Sequence, residues 1–222
     1  AAAMQAAGLR NEYQIVPNVV ESRPPEQAYP LPGEAGRVRL LNVSDFYDHK
    51  KNVSGLLRAV AALAAEGREL ELHLVGDGPD RPALEELAEG LPALEGRLFF
   101  YGRLPNETVL QLMAAADVYV CPSHVETFSV TTAEALAAGK PVVCTACGGP
   151  EHFVGAECGL VIPKDDPGAL HEALARMLEE YRQYDPQVLR AAARQFEAAA
   201  VGRQFEQLYA RITAGRRHKP QA

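Results

Sequence analysis

Two glutamates with seven residues between them, Glu126 and Glu134, stand where a polar loop runs into a helix, and their types and spacing set the chemistry on offer. The loop leaves a strand-like run at residues 117–121 (DVYVC) and enters an Ala-rich helical pattern at 130–138 that stops at Gly139. Ser123, His124, Glu126, Thr127 and Ser129 give it more polar groups than a short connection needs, and such loops carry function. A helix N-terminus presents unpaired amides, where phosphate is favoured. A diphosphate on the amides near Ser129 and Val130, with Ser123 alongside, leaves Glu134 to accept hydrogen bonds from a ribose and Glu126 from a second sugar.

An ordered series of motifs surrounds this segment: VPN at residues 16–18, VGDGP at 75–79, then AAADVYVCPS, CGGPEHF and GLVIPKDDP. Together with the E-x7-E segment they resemble the retaining, nucleotide-sugar-dependent glycosyltransferases of family four, which have the two-domain GT-B fold. The resemblance covers nearly the whole chain. It implies the C-terminal, donor-binding half of a hexosyltransferase that moves a sugar from a nucleotide diphosphate sugar to an acceptor glycan, lipid or small molecule. It also implies that an N-terminal domain of comparable size, which binds the acceptor, is missing here, so that the fragment is expected to be inactive alone. No cofactor beyond the donor substrate is expected. The sequence departs from the family pattern at Thr127 and Ser129, where the family often has glycine, and at Asp45, where it usually has arginine.

The basic role therefore shifts to Lys50 or Lys51, next to the expected start of the first helix, with Lys50 and Glu126 taken as the catalytic pair and Lys51 as a donor ligand. Positive charge and helix amides together stabilise a departing diphosphate; the bland alternative is two solvated lysines. Gly76 and Gly78 allow a tight turn and close backbone approach, but the full G-x-G-x-x-G spacing is lacking and a nicotinamide site is discounted. By the resemblance, Gly102, Arg103 and Leu104 meet the nucleotide base, although a Leu beside a strand is more often plain core. Gly148 and Gly149 shape the sugar pocket, and Glu151 is either a donor contact or a dipole-favoured helix cap. His124 lies in the central loop within reach of a phosphate or the sugar, but an ordinary solvent-exposed histidine is the commoner reading, and His49 is similar. No His/Asp/Glu cluster has metal spacing, and no metal is expected.

A net charge of −7 argues against sequence-independent nucleic-acid binding. With 47% hydrophobic and 23% charged residues the chain is ordinary globular material. The sequence shows neither a signal pattern nor a membrane-spanning run, so a cytoplasmic protein is expected, free or peripheral to the inner face of the membrane in the full-length enzyme. Cys121, Cys144, Cys147 and Cys158 read as buried thiols, and Cys144–Cys147 has redox spacing without a second pair.

To position these residues the chain offers strand-like runs at 38–43, 70–75, 97–101, 117–121, 141–145 and 159–162. Helical patterns are expected at 52–65, 80–89, 107–115, 130–138, 166–181, 186–196 and 200–212. Alternating strands and helices predict an α/β fold, a Rossmann-like, doubly wound parallel sheet of about six strands. The expected division is a hinge with a remnant of the N-terminal domain at 1–36, the donor-binding domain at 37–196, and a final helix and loose tail at 197–222. Two other functions remain compatible with this scaffold: a non-catalytic nucleotide-sugar-binding module, and a nucleotide-sugar epimerase.

Overall fold

Apolar runs rich in Val and Leu, too short for helices, form six strands in a computed structural model that describes residues 6–8, 13–21 and 29–216. They are β1 (Val38–Val43), β2 (Leu70–Val75), β3 (Leu98–Gly102), β4 (Val118–Cys121), β5 (Val142–Thr145) and β6 (Gly159–Ile162). All pair in parallel, in the order β3-β2-β1-β4-β5-β6. The start of the N-terminal Ala-rich stretch, part of the Pro-rich hinge and the tail beyond residue 216 lie outside the described residues.

Parallel neighbours require crossovers, and the helices supply them. In chain order these are α1 (Asp48–Lys51), α2 (Val53–Ala65), α3 (Arg81–Glu89), α4 (Asn106–Ala115), α5 (Val130–Ala137), α6 (Pro167–Glu180), α7 (Pro186–Ala193) and α8 (Ala198–Arg216). Leu56, Leu57 and Val60 of α2 meet Leu170 and Leu174 of α6 over Leu40, Leu72 and Val118 on one face of the sheet. On the other face, Val109 and Leu112 of α4, Leu136 of α5 and Leu189 of α7 pack over Leu41, Tyr119 and Cys144. The strands supply both cores because successive side chains point to opposite faces. Val20 joins the second core and donates its N–H to the Phe196 carbonyl at 2.9 Å, which fixes the segment after the VPN motif against the start of α8.

Strand β2 (LELHLV) is buried along its whole length, so Glu71 and His73 need partners. Glu71 accepts from the Glu34 amide at 3.1 Å and lies 3.1 Å from His73 Nε2, while His73 Nδ1 sits 2.8 Å from the Tyr101 hydroxyl. With Nε2–H donating to Glu71 and the tyrosine donating to Nδ1, one neutral tautomer satisfies all three groups. Burial lowers the His73 pKa, which favours that neutral form. Residues 29–34 thus close over this polar patch, with Tyr29 edge-on to Tyr101 and the Glu34 amide on Glu71.

The strands and long helices fall within a few residues of their expected positions. Among the described residues the expected helices leave out α1, a single turn in the loop after β1, and the short 3-10 turns at Pro92–Leu94 and Pro150–His152. Four residues are too few to show a helical stripe.

Candidate functional site

Helices leave β1 and β4 on opposite faces of the sheet, so their carboxyl ends flank a crevice of the kind where open α/β sheets bind ligands. The loop after β1 carries α1 and ends on Asn52, whose φ of 52° is left-handed. The loop after β4 carries Ser123 to Ser129. They are tied together: the Lys50 carbonyl accepts from the amides of His124 at 2.7 Å and Val125 at 3.3 Å, and Asn52 Nδ2 donates to the Pro122 carbonyl at 3.2 Å.

Across this junction Lys51 Nζ lies 2.7 Å from Glu126 Oε1 and 3.6 Å from Asp45 Oδ1. Ser123 Oγ donates to the same Glu126 oxygen at 2.9 Å, and Thr145 Oγ1 donates to the Ser123 carbonyl, fixing the loop from below. Burial opposes the charge on Lys51, but its hydrogen bond and attraction to Glu126, helped by Asp45, outweigh it and raise the pKa. A charged ammonium is therefore held at the mouth of the crevice. Lys50 does not join the cluster; it is exposed, with Nζ 5.6 Å from the centre of the Tyr47 ring.

The next loop is threaded close beneath. Glu126 N–H donates to the Cys147 carbonyl at 3.1 Å. A Cβ on Gly148 would come 2.9 Å from the Glu126 carbonyl oxygen, and one on Gly149 2.9 Å from the Phe128 nitrogen, so glycine at both positions lets the two loops touch. Glu151 accepts the Gly148 amide at 2.6 Å and so closes its own turn.

Helix α5 begins beside this cluster with no side-chain cap, whereas Asp166 and Asp185 cap α6 and α7. Ser129 occupies the cap position, but its φ of 68° is left-handed and its Oγ pairs with Thr132 Oγ1 at 2.7 Å. A glycine would adopt that backbone without strain, which gives the departure from the family pattern a physical meaning. The first amides of α5, Val130 among them, are left for another acceptor. Beneath them the Tyr119 hydroxyl donates to Thr131 Oγ1 at 2.6 Å.

Glu134 faces a different space from Glu126. It is 7% exposed and lines an open cleft of about 710 Å³ with Val20, Glu21, Asn106 and Ala198. Burial, and then the charge of Glu21, push its pKa up to about 7. A carboxyl with a folded pKa above its unfolded value binds its proton more tightly when folded. That contribution is fully present below pH 4.5 and is lost as pH rises through about 7, by at most about 3 kcal/mol. Glu134→Gln is therefore expected to stabilise the chain by roughly 1–3 kcal/mol at pH 8 and negligibly at pH 4.5 in urea titrations; an equal effect at both values would show that the carboxylate is not destabilising.

At the carboxyl ends of β2 and β3, Gly76 has a φ of 136° and a Cβ there would overlap the Ser44 carbonyl oxygen. Gly78 lies against the Phe46 backbone, and Gly76 N–H donates to the Gly102 carbonyl at 2.9 Å. Arg103 is exposed, while Leu104 is half-buried against the second core. His124 Nδ1 approaches Asp165 Oδ1 at 2.6 Å without hydrogen-bond alignment, and His49 is exposed. The four cysteines are free and buried, and burial raises the thiol pKa of Cys147 to about 11. Among the described residues no group of three or more His, Cys, Asp or Glu has metal-site geometry, and no helix is long and apolar enough to cross a membrane. Sequence reasoning did not single out Asp45 as a second carboxylate on Lys51, or Glu21 and Asn106 as neighbours of Glu134. Glu21 lies three residues beyond VPN, a spacing that points nowhere without the fold.

A family model described as glycosyl transferases group 1 matches residues 37–180. A phosphatidyl-myo-inositol mannosyltransferase of Mycolicibacterium smegmatis is 27% identical over 219 residues, covering 94% of this chain and 54% of that protein. Sucrose-phosphate synthase from Thermosynechococcus elongatus matches the structure with a TM-score of 0.80 at 27% identity, over 96% of this chain and 56% of that one. Anabaena HepE, solved with UDP and glucose, shares the fold with a TM-score of 0.68 at 23% identity, over 79% of this chain and 49% of that one. The chain thus spans about half the length of these proteins.

Proposed function

Because the chain belongs to the group 1 glycosyl transferases and has the α/β fold of GT-B enzymes, we propose that it is the donor-binding half of a retaining glycosyltransferase using a nucleotide diphosphate sugar. The observation that carries this reading is the Lys51–Glu126 pair at the crevice between β1 and β4, beside the uncapped start of α5. A lysine and a row of amides suit a diphosphate, and a carboxylate next to them suits sugar hydroxyls. The mannosyltransferase relative and the neighbour solved with UDP and glucose support a donor of this class.

In the reaction so read, the bond from the sugar C1 to the diphosphate oxygen breaks and a bond from C1 to the acceptor oxygen forms on the same face. The acceptor proton leaves with the diphosphate. Lys51 and the α5 amides offset the charge that grows on the leaving group, and Glu126 orients the donor sugar through its hydroxyls. Lys51 takes the role first given to Lys50, because it alone of the two reaches Glu126. Glu134 accepts the ribose hydroxyls; residues 102–104 flank the base; Gly148, Gly149 and Glu151 shape the wall below the sugar. No cofactor or metal enters this scheme.

The division into hinge, donor domain and final helix belongs to the same proposal, as does a preceding domain that binds an acceptor glycan, lipid or small molecule. An exposed stripe of Phe205, Tyr209 and Ile212 on α8, together with exposed Ile15 just before VPN, supports a covering partner for these surfaces. A cytoplasmic enzyme, free or peripheral to the membrane, fits this scheme.

The reading is tested on the 222-residue chain by ligand-observed NMR with a panel of nucleotide sugars. The chain is expected to bind one nucleotide class with a Kd of about 0.1–1 mM, near 4–5 kcal/mol, because one wall of a cleft offers few contacts. It should transfer no sugar until joined to its acceptor-binding half. No binding by any member of the panel would overturn the donor assignment, and interconversion of sugars without acceptor would indicate an epimerase.

A further inference from the structure

The Lys51 ammonium faces two carboxylates, Glu126 at 2.7 Å and Asp45 at 3.6 Å, so one positive charge stands between two negative ones. Asp45 holds its place because the chain on either side of it is fixed. Ser44 N–H donates to the Val75 carbonyl and Phe46 N–H to the Asp77 carbonyl, each at 3.0 Å, which prolongs the pairing of β1 with β2 past the ends of both strands. The Phe46 ring is fully buried in the core under α2 and α6, edge-on to Phe100. With that neighbour turned inward, Asp45 keeps its side chain 53% exposed and meets the ammonium from the open side, whereas Glu126, at 13%, meets it from the buried side. Glu126 is also tied to Ser123, but among the described residues Lys51 is the one ionic partner of Asp45.

Resting on the reading that Lys51 meets the donor diphosphate, we propose that Asp45 is a specificity-determining residue that favours the intact donor over the spent nucleotide. A diphosphate must displace Asp45 from Lys51, and the displaced carboxylate then stands beside an anionic ligand. Its repulsion scales with the charge of that ligand. A diphosphate esterified at both ends carries two negative charges. When the bond to the sugar C1 has broken and the acceptor proton has passed to solvent, the terminal phosphate carries one more, because its second ionisation falls near pH 6. Asp45 therefore opposes the product more strongly than the donor, and the crevice releases nucleoside diphosphate more readily than the Lys51–Glu126 pair and the α5 amides would by themselves.

The test titrates UDP, UDP-glucose, GDP and GDP-mannose into the 222-residue chain at pH 8, in about 50 mM and about 500 mM salt. Asp45→Asn keeps the shape and removes the charge. At the lower salt it is expected to tighten the nucleotide sugar about threefold and the nucleoside diphosphate about fivefold, in keeping with ligand charges of two and three. Asp45→Lys reverses the charge, and the same scaling gives about ninefold and about 25-fold. Asp45→Glu, which keeps the charge, should restore the affinities of the parent to within about twofold. At the higher salt the screening length falls to about 4 Å, and every gain should shrink below about twofold. A merely structural role for Asp45 would instead loosen both ligands at either salt concentration.

Unchanged or weaker binding by both Asp45→Asn and Asp45→Lys overturns the proposal, and so does an equal gain for donor and product. In either case a loss of diphosphate affinity in Lys51→Ala leaves the donor reading standing. If the parent binds none of the four nucleotides, or if Lys51→Ala binds the diphosphates as the parent does, the placement of the diphosphate on Lys51 fails and the role of Asp45 falls with it.

Discussion

Lys51→Ala in the full-length enzyme is expected to lower kcat by about 10²–10³-fold, the scale of removing one preorganised charge from a site where negative charge develops. Lys51 is suited to this because its ammonium is already positioned, 2.7 Å from Glu126 and 3.6 Å from Asp45, with its protonated form favoured. The substitution should cost only about 1–2 kcal/mol of stability, since Glu126 keeps the Ser123 hydrogen bond and reaches solvent at the mouth of the crevice. Lys50→Ala supplies the contrast. Its side chain leans on Tyr47 at the surface, and its loss should change kcat by less than threefold. Equal effects from the two lysines in steady-state assays would sink the assignment of the leaving-group charge to Lys51.

Glu126→Gln should separate turnover from nucleotide binding. Glu126 holds Lys51 and stands before α5, and in the proposed pose it meets the donor sugar. The free nucleoside diphosphate lacks that sugar. The variant is expected to lose about 10²-fold in kcat, on the scale of a charged hydrogen bond made mainly in the transition state. Its affinity for nucleoside diphosphate, measured by calorimetry, should stay within about threefold of the parent, because Lys51 remains charged and the α5 amides are untouched. Comparable losses in both quantities would mean that Glu126 serves the nucleotide and not the sugar.

Much of this architecture could be read in the chain because buried parallel strands are continuous apolar runs and amphipathic helices carry a stripe. The runs 38–43, 70–75 and 159–162 coincide with β1, β2 and β6 to the residue. What escaped reading depends on contacts distant in sequence. Adjacent lysines on a helical turn point about 100° apart, so choosing Lys51 over Lys50 requires knowing how α1 is seated against the loop after β4. The two glutamates looked like lips of one crevice, yet the start of α5 stands between them, and Glu134 opens toward Glu21. The burial of Glu71 and His73 inside β2 was equally invisible, because residues 29–34 supply both the cover and the amide that satisfies Glu71.

The carbonyl of Lys50, which accepts two amides from the facing loop, bears on how rigid the crevice is. Those bonds and the Asn52 contact leave the two sides of the crevice no hinge of their own. Spin labels at exposed His49 and Val125 should therefore report one narrow distance distribution, the same with and without nucleotide. If the proposed donor site is right, selectivity rests on fixed stereochemistry, as in a cut lock, and altering it by evolution or design means recutting side chains in place and not loosening a loop.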